Sequence, residues 1–208
     1  MSRGLFIVIE GLDRCGKTTQ LDILKNYLQP SKSISFPNES LQSGMDLRKY
    51  LLQQIELTDM DAHNLFARNR RESADFIIQT IEKNINVISS RYAFSGVAYT
   101  TQKGFSMQDA IQADKGILIP DLTIILTCDV QNIQQRFDNK DRYENIEVQE
   151  KVKQKFKEVL MLKNIGNICN IDITGMSIQQ VKEQILHKVD QIQHENNSIQ
   201  MGLFEGNY

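Results

Sequence analysis

The stretch Gly11–Thr18, which reads GLDRCGKT, constrains this chain more than any other. It fits the phosphate-binding P-loop pattern G-x-x-x-x-G-K-[ST] at every fixed position. The preceding run Leu5–Ile9 is apolar and β-branched, which is typical of a buried parallel strand. The following run spaces Leu21, Leu24 and Leu28 at helical intervals. The motif therefore lies where its chemistry requires it, on the turn between a strand and a helix.

Composition fits an ordinary globular chain and narrows its partners. The 208 residues, 40% of them hydrophobic, suit one domain with a substantial core. The net charge of −2 provides no basic field for nucleic acid. No apolar run approaches the roughly 20 residues of a membrane span, and we see no signal peptide. Cys15, Cys128 and Cys169 are far apart and odd in number, which indicates reduced thiols. We expect a cytoplasmic protein, with the nucleus as an alternative, that binds neither nucleic acid nor membrane.

Apolar runs and helical patterns alternate along most of the chain. Strands are predicted at Leu5–Ile9, Lys32–Phe36, Val87–Ser90, Leu122–Cys128 and Ile168–Ile173. Helices are predicted at Thr18–Leu28, Gly44–Gln54, Asp61–Lys83, Ser95–Lys103, Val130–Phe137, Glu144–Lys163 and Ser177–Ile192. This alternation predicts a parallel sheet with helices on both faces. We expect one domain over residues 1–208, with a polar tail at about 194–208 that contains the apolar patch Met201–Phe204.

A P-loop alone is shared by GTPases, ATPases and small-molecule kinases, so other segments must narrow the choice. Six segments occur in this order: Glu10–Gln20, Phe36-Pro37, Asn69-Arg70, Arg91–Tyr99, Pro120–Leu122 and Arg142–Glu144. The run AFSGVAY within the fourth segment is especially specific. Together they strongly resemble thymidylate kinases, which transfer the γ-phosphoryl group of ATP to dTMP. The resemblance covers about residues 2–159.

This resemblance implies a fold and a reaction. The fold would be a P-loop NTPase-type α/β domain with a parallel sheet of about five strands and a short lid, at about residues 136–144, over ATP. The substrates would be ATP and dTMP, the cofactor Mg²⁺, and the assembly a homodimer. Arg14 places the chain in the class whose catalytic arginine lies in the P-loop. A guanidinium beside the γ-phosphate can bond the oxygens that gain charge during transfer.

The residues implied for ATP begin with the P-loop itself. Its backbone N–H groups would cradle the phosphates, Lys17 would reach the β- and γ-phosphates, and the Thr18 hydroxyl would bind Mg²⁺. The full implied set for ATP is Gly11, Asp13, Arg14, Cys15, Gly16, Lys17, Thr18, Thr19, Arg136 and Arg142. Among these, Arg142 matches the lid of the family better than Arg136 does. The implied catalytic residues are Arg14, Lys17 and Arg91.

The residues implied for dTMP come from four segments. They are Asp13, Phe36, Phe66, Arg70, Arg91, Ser95, Gly96 and Tyr99. By resemblance, Asp13 accepts a bond from the 3′-hydroxyl, Arg91 holds the phosphate and Tyr99 lies beside the deoxyribose. Phe66 and Arg70 are four apart on one helix face, where Phe66 would stack on thymine and Arg70 would donate to O4. A donor aimed at O4 rejects cytosine, whose N4 is itself a donor. The alternative for Phe66 is a core position.

Two positions depart from the family pattern. The family usually reads Phe-Pro-x-Arg, but here the segment is Phe36-Pro37-Asn38-Glu39, which puts a carboxylate where an arginine would bind the acceptor phosphate. Either Glu39 points away, or a cation such as Arg48 compensates for it. Ser90 stands where the family usually has an aspartate that helps order Mg²⁺. Both changes make weaker dTMP binding or relaxed acceptor specificity plausible.

Two other interpretations remain open from the sequence. One is a nucleoside-monophosphate kinase with another preferred deoxynucleotide as acceptor. The other is a nucleotide-binding homologue without turnover, for which Glu39 and Ser90 are the motive. A GTPase is disfavoured, because no guanine-reading Asn-Lys-x-Asp segment follows a predicted strand.

Replacing Glu39 by arginine is expected to raise kcat/KM for dTMP. A carboxylate ~4 Å from a phosphate, in an effective dielectric of ~20, repels it by about 4 kcal/mol, whereas arginine attracts it. Steady-state kinetics of Glu39→Arg against the parent enzyme measure the effect. An unchanged or lower kcat/KM would contradict the expectation.

Overall fold

The computed structural model describes residues 3–138, 140–162 and 165–195. Within them, one sheet contains the strands β1 (Phe6–Gly11), β2 (Ser31–Ser35), β3 (Asn86–Ser90), β4 (Leu122–Thr127) and β5 (Ile168–Asp172). The strands lie in the order β2-β3-β1-β4-β5, and every neighbouring pair is parallel. The five-stranded parallel sheet expected from the sequence and the resemblance is thus confirmed.

Helices connect the strands and cover the sheet. They are α1 (Lys17–Tyr27), α2 (Gln42–Leu51), α3 (Asp59–Glu72), α4 (Ala74–Glu82), α5 (Ala93–Thr101), α6 (Met107–Gln112), α7 (Val130–Gln134), α8 (Ile146–Val159) and α9 (Ile178–Glu195). All six residues of β1 and all six of β4 are buried. Because successive side chains of a strand point to opposite faces, both faces of these central strands must be covered. None of the helices described is long and apolar enough to cross a membrane.

The single long helix predicted over Asp61–Lys83 is wrong, because the chain breaks into α3 and α4 at Ser73. The Ser73 hydroxyl donates to the carbonyl of Asn69 at 3.0 Å and accepts from the Asn38 side chain at 3.0 Å. A serine that bonds back to the carbonyl four residues earlier bends a helix. The bond to Asn38 fixes that bend against the loop after β2.

Other element boundaries also differ from the sequence predictions. The helix predicted from Glu144 begins at Ile146, because the Asn145 side chain accepts from the N–H of Val148 at 2.9 Å and caps it. Helix α6 was not predicted, although Ser106 caps it in the same way. The helix predicted over Glu144–Lys163 ends, by that prediction, at a residue outside the described part of the chain. Residues 196–208 of the predicted tail, with the patch Met201–Phe204, also lie outside it.

Parallel pairing brings the residues after β1, β2 and β3 to one edge of the sheet. Ile9 of β1 is in register with Ser90 of β3, and Ser35 of β2 pairs with the same Ser90. The chain therefore leaves these strands into the P-loop, into Phe36 and into Arg91 at neighbouring points. Ligands of open parallel α/β sheets bind at this carboxyl edge.

Candidate active site

The P-loop joins β1 to α1, as the motif predicts. Gly11 has φ 137°, and a Cβ there would lie 2.2 Å from the carbonyl oxygen of Leu126, so no side chain fits. The buried Lys17 ammonium donates to the carbonyls of Gly11 at 3.2 Å and Leu12 at 2.5 Å. Burial is the main cause that lowers the pKa of Lys17 below its usual value, and the positive charge of Arg91 lowers it further. Lys17 is thus held across the loop, where a bound phosphate would offer it better acceptors than carbonyls.

An ion pair between Asp13 and Arg91 joins the P-loop to the chain after β3. Arg91 Nη2 donates to Asp13 Oδ1, and Arg91 Nη1 donates to the Ser95 hydroxyl at 3.0 Å. The hydroxyl of Tyr99 donates to the other carboxylate oxygen at 2.9 Å. Burial alone would raise the pKa of Asp13, but the charges of Arg91 and Lys17 outweigh it and keep that pKa below its usual value. Asp13 is therefore an ionised acceptor between the two predicted substrate sites.

Gln149 is a site residue that the sequence analysis missed. It is fully buried on α8, its Oε1 accepts from the Asp13 N–H at 2.9 Å, and its Nε2 donates to Asp13 Oδ2 at 2.7 Å. The same Nε2 lies 3.0 Å from the carbonyl of Tyr143. Gln149 therefore fixes both the backbone and the carboxylate of Asp13. A glutamine within a polar helical pattern gives no signal of such a role.

Glu10, the last side chain before Gly11, positions α5. It is fully buried, and its Oε1 accepts from the N–H groups of Tyr92 at 2.9 Å and Ser95 at 3.0 Å. The Ser95 hydroxyl donates to Oε2. Burial raises the pKa of this carboxyl. The first N–H groups of a helix have no partner within it, so Glu10 fixes the start of α5 and with it Ser95 and Gly96.

A cavity open to solvent lies beside the P-loop. All eight residues predicted for dTMP line it: Asp13, Phe36, Phe66, Arg70, Arg91, Ser95, Gly96 and Tyr99. Phe66 is half-buried at the wall and packs on the small cluster of Tyr50, Ala62 and Tyr143, not on the main core. Phe36 is buried, with its ring centroid 5.5 Å from that of Tyr92. The structure thus brings together the residues that the sequence predicts for one ligand.

Arg70 enters this cavity as half of a buried ion pair. Its Nε donates to Asp114 Oδ1 at 2.7 Å and its Nη2 to Asp114 Oδ2 at 2.8 Å. The side chains of Arg70 and Asp114 are 2% and 1% exposed. Asp114 was not predicted, because an aspartate in a turn 44 residues away carries no local signal.

Two carboxylates of the segment predicted as the lid hold Arg14. Its Nε donates to Glu144 Oε1 at 2.5 Å, and its Nη2 lies 3.0 Å from Asp138 Oδ2. Arg136 Nη1 donates to the carbonyl of Arg14 at 3.1 Å, so Arg136 also lies at the P-loop. The Arg14 side chain is 41% exposed. It can therefore exchange these carboxylates for a phosphate that approaches from solvent.

Arg142 contacts other parts of the protein. Its guanidinium carbon lies 4.3 Å from the Tyr50 ring centroid, and its Nη2 pairs with Glu56 Oε1 at 2.7 Å. Its backbone N–H donates to the carbonyl of Leu51 at 2.8 Å. Arg142 thus fastens the lid to the end of α2, and the ATP contact expected for it would need a different position of this side chain.

The two departures from the family pattern lie in different environments. Glu39 is 57% exposed and does not line the cavity, and its Oε1 is 3.9 Å from Arg48 Nε. Glu39 therefore points to solvent, with a cation nearby, and the repulsion expected for a carboxylate ~4 Å from the acceptor phosphate does not apply to it in this position. Ser90 is nearly buried at the end of β3, where its carbonyl accepts from the N–H of Phe36 at 2.9 Å.

The remaining predicted residues lie on the P-loop and the first turn of α1. Gly16 has φ 90°, which favours glycine, and it precedes the helix N-terminus. Cys15 is buried, with Sγ 3.9 Å from Lys17 Nζ. Thr18 and Thr19 are exposed on the first turn of α1. The structure therefore brings the predicted P-loop residues together in a strand–loop–helix unit.

Comparison with known proteins identifies the family. The family model for thymidylate kinase matches residues 9–185 of the chain. The chain belongs to the thymidylate kinase family. It is 35% identical over 191 residues to a thymidylate kinase of Dictyostelium discoideum, and the aligned region covers 89% of this chain and 84% of that one. It is 37% identical over 163 residues to that of Schizosaccharomyces pombe, which covers 76% of this chain and 78% of that one.

A solved structure in the thymidylate kinase family has the same fold. It is that of the Candida albicans enzyme, described as revealing the origin of broad substrate specificity and a novel structural element. The two structures match with a TM-score of 0.91 and 34% identity, over 98% of this chain and 99% of that chain. The agreement extends over the sheet and the helices that carry the cavity.

Replacing Gln149 by leucine is expected to destabilise the fold by about 1–3 kcal/mol, because a buried N–H and a buried carboxylate of Asp13 lose their partner. The turnover number should fall as well, since the Asp13 carboxylate is then held only by Arg91 and Tyr99 and its backbone N–H has lost its partner. Thermal unfolding and steady-state kinetics test this. Gln154→Leu, at an exposed position on the same helix, is the matched control and should change neither quantity. A Gln149→Leu enzyme that behaves like this control would contradict the role.

Proposed function

We propose that this chain is an ATP-dependent thymidylate kinase that converts dTMP and ATP to dTDP and ADP. Membership of the thymidylate kinase family supports the reaction. The single observation that carries the assignment of the site is that an aromatic ring and two arginines share one cavity beside the P-loop. These residues are Phe66, Arg70 and Arg91.

We propose that ATP binds with its phosphates over the P-loop. Lys17 would exchange the carbonyls of Gly11 and Leu12 for the β- and γ-phosphates, which are stronger, charged acceptors. Arg14 would leave Glu144 and Asp138 for the γ-phosphate. Because both cations already lie at the loop, binding requires short side-chain movements and not a rearrangement of the fold.

We propose that dTMP occupies this cavity with its base between α3 and α5. The Phe66 ring would stack on thymine, and Arg70 would donate to O4. Tyr99 and Asp13 would lie beside the deoxyribose, so that Asp13 accepts a bond from the 3′-hydroxyl. Arg91 would hold the acceptor phosphate within reach of the P-loop. Arginine suits this task because its planar fork can bind a phosphate through two bonds.

The chemistry needs positioning and charge stabilisation. An oxygen of the acceptor phosphate forms a bond to the γ-phosphorus while the bond to the β–γ bridging oxygen breaks, and ADP leaves. No covalent enzyme intermediate and no strong base are required. Arg14 and Lys17 would stabilise the negative charge that develops on the transferred group and on the leaving oxygen. The lid residues that contact Arg14 would exclude water, which would otherwise compete as acceptor.

The residues present fit Mg²⁺ bound mainly through the nucleotide. The part of the chain described contains no group of three or more His, Cys, Asp or Glu residues that could hold a metal by itself. Mg²⁺ in kinases usually keeps several waters and takes few protein ligands besides the substrate phosphates. The Thr18 hydroxyl on the first turn of α1 would be the direct protein ligand, and bound Mg²⁺ would neutralise charge on the phosphates. Ser90 supplies a neutral oxygen where a carboxylate is usual.

We further propose a homodimer in the cytoplasm as its setting. The assembly rests on the resemblance to the family. The compartment rests on the odd number of separated cysteines, of which Cys15 and Cys128 are buried thiols. Sedimentation of the purified protein tests the dimer.

A relaxed acceptor range is the second candidate. With a solvent-facing carboxylate in place of the usual arginine at position 39, the acceptor phosphate has one cation fewer, which weakens the binding of every nucleoside monophosphate alike. The contacts to base and sugar then decide the acceptor range. The Candida albicans relative has broad specificity by its description.

A coupled ADP-release assay with Mg·ATP against dTMP, dUMP, dGMP, dCMP and UMP tests the function. We expect the highest kcat/KM with dTMP, because Arg70 is a donor only and the Tyr99 ring would leave no room for a ribose 2′-hydroxyl. Comparable rates on several acceptors would favour the relaxed range. ATP binding without turnover on any acceptor would contradict the enzyme and favour a non-catalytic nucleotide-binding protein.

Replacing Arg14 by alanine is expected to lower kcat by about 10³-fold, with a much smaller change in KM for dTMP, because an arginine at the γ-phosphate acts mainly in the transition state. Steady-state and single-turnover kinetics measure both. Arg68→Ala is the control, since Arg68 is exposed on α3 and pairs with Glu72. An Arg14→Ala enzyme with kcat near that of the control would show that the catalytic arginine lies elsewhere.

A further inference from the structure

We infer that Asp114 is a positioning residue for base recognition, because its carboxylate locks the Arg70 guanidinium in the orientation that selects thymine over cytosine. The inference rests on the proposed function and deepens it, since it assigns the acceptor specificity of the cavity to a residue behind the cavity wall. The inference follows from the two groups that fix the Arg70 guanidinium, which are the Asp114 carboxylate and the backbone at Gly96.

Asp114 holds one edge of the guanidinium. Two parallel bonds, Nε to Oδ1 at 2.7 Å and Nη2 to Oδ2 at 2.8 Å, form the fork geometry that fixes both distance and plane. The pair is almost completely buried, so water does not compete for it. The next residue, Arg71, donates from Nη2 to the carbonyl of Ala113, which ties α3 to the same turn. Asp114 is thus part of a fixed frame.

Gly96 bounds the guanidinium from the other helix. A Cβ at Gly96 would lie 2.7 Å from Arg70 Nη2 and 3.2 Å from Cζ and Nη1, closer than side chains pack. Gly96 lies within α5, and nothing in its backbone conformation requires glycine. Its missing side chain is therefore explained by the space that Arg70 occupies. The arginine lies between a carboxylate at its edge and a bare helix backbone.

The donors left over face the substrate. Arg70 lines the cavity, and the described residues contain no recorded hydrogen-bond partner for its Nη1. Arginine donates and never accepts, so Nη1 matches an O4 oxygen and opposes an N4 amino group. A free arginine could turn away from N4 and let cytosine in. Held by Asp114, the guanidinium cannot turn, so cytosine meets a donor that opposes its own.

The chemistry of Asp114 matters more than its size. Asparagine has nearly the same shape, but it offers one acceptor oxygen and presents donor hydrogens to the second N–H of the fork. Arg70 would then keep one bond and gain freedom to rotate. Without the carboxylate, a buried guanidinium also has no counter-charge and is drawn toward water in the cavity.

Two variants test the inference. Asp114→Asn removes one of the two acceptors that bind the Arg70 guanidinium, and Gly96→Ala places a methyl group against the guanidinium and displaces it. For each, we measure kcat and KM with dTMP, dUMP and dCMP, and the Tm. If dCMP turns over too slowly, its inhibition constant against dTMP replaces kcat/KM. Asp109→Asn is the matched control, since Asp109 is an exposed aspartate on α6 that contacts Ser106.

In both variants we expect KM for dTMP to rise by roughly tenfold or more while kcat changes little, and the preference for dTMP over dCMP to fall by a similar factor. The preference for dTMP over dUMP should stay the same, because both bases carry O4. A purely structural defect would weaken all three acceptors equally. The control should match the parent enzyme in every quantity.

A folded Asp114→Asn enzyme with unchanged KM and unchanged dTMP-to-dCMP preference would overturn the inference. If Asp114→Asn does not fold, Asp114→Glu decides in its place, because it keeps the counter-charge of Arg70 while its longer side chain shifts the two acceptor oxygens; an unchanged KM and an unchanged dTMP-to-dCMP preference would then overturn the inference. Failure of the proposed function looks different, since the parent enzyme itself would then not turn over dTMP, and the inference would fall with it.

Discussion

The ion pair between Asp13 and Arg91 is the interaction on which the rest of the site depends. It joins the loop after β1, which would bind the donor, to the chain after β3, which would bind the acceptor. Parallel pairing of these strands makes the contact available, and Gln149 and Tyr99 fix the carboxylate from two further helices. A change in any one of these elements would therefore move the two proposed substrate sites relative to each other, and transfer between two bound substrates depends on that geometry.

Most cations of the site already have a partner before any substrate binds. Arg91 pairs with Asp13, Arg70 with Asp114, Arg14 with Glu144, and Lys17 with loop carbonyls. Two kinds of pair can be distinguished by burial. The Arg70–Asp114 pair is buried and sets a fixed geometry, whereas Arg14 is 41% exposed and can exchange partners when a phosphate arrives. In the proposed function, the site would combine a preorganised reader of the base with a movable charge at the transferred group.

Local patterns predicted the parts of this structure that local sequence determines. The P-loop and the five strands followed from a motif of adjacent residues and from apolar runs, and the eight residues around the cavity were implied by the resemblance to thymidylate kinases. Gln149 and Asp114 did not, because their partners lie 136 and 44 residues away and polar residues in a helix or turn are unremarkable by pattern. The break between α3 and α4 at Ser73 depends on a hydrogen bond to Asn38. The Arg142 side chain contacts Tyr50 and Glu56 and not the P-loop. Each of these is decided by tertiary contacts that no periodicity encodes.

The most direct test of the account is a crystal structure with a bisubstrate analogue in which adenosine and thymidine are joined through their 5′-phosphates. The account predicts thymine stacked on Phe66 with O4 at Arg70, the 3′-hydroxyl at Asp13, and Arg14 moved from Glu144 to the bridging phosphates. A thymine bound outside the cavity, or Arg14 still paired with Glu144 while the phosphates occupy the P-loop, would contradict it.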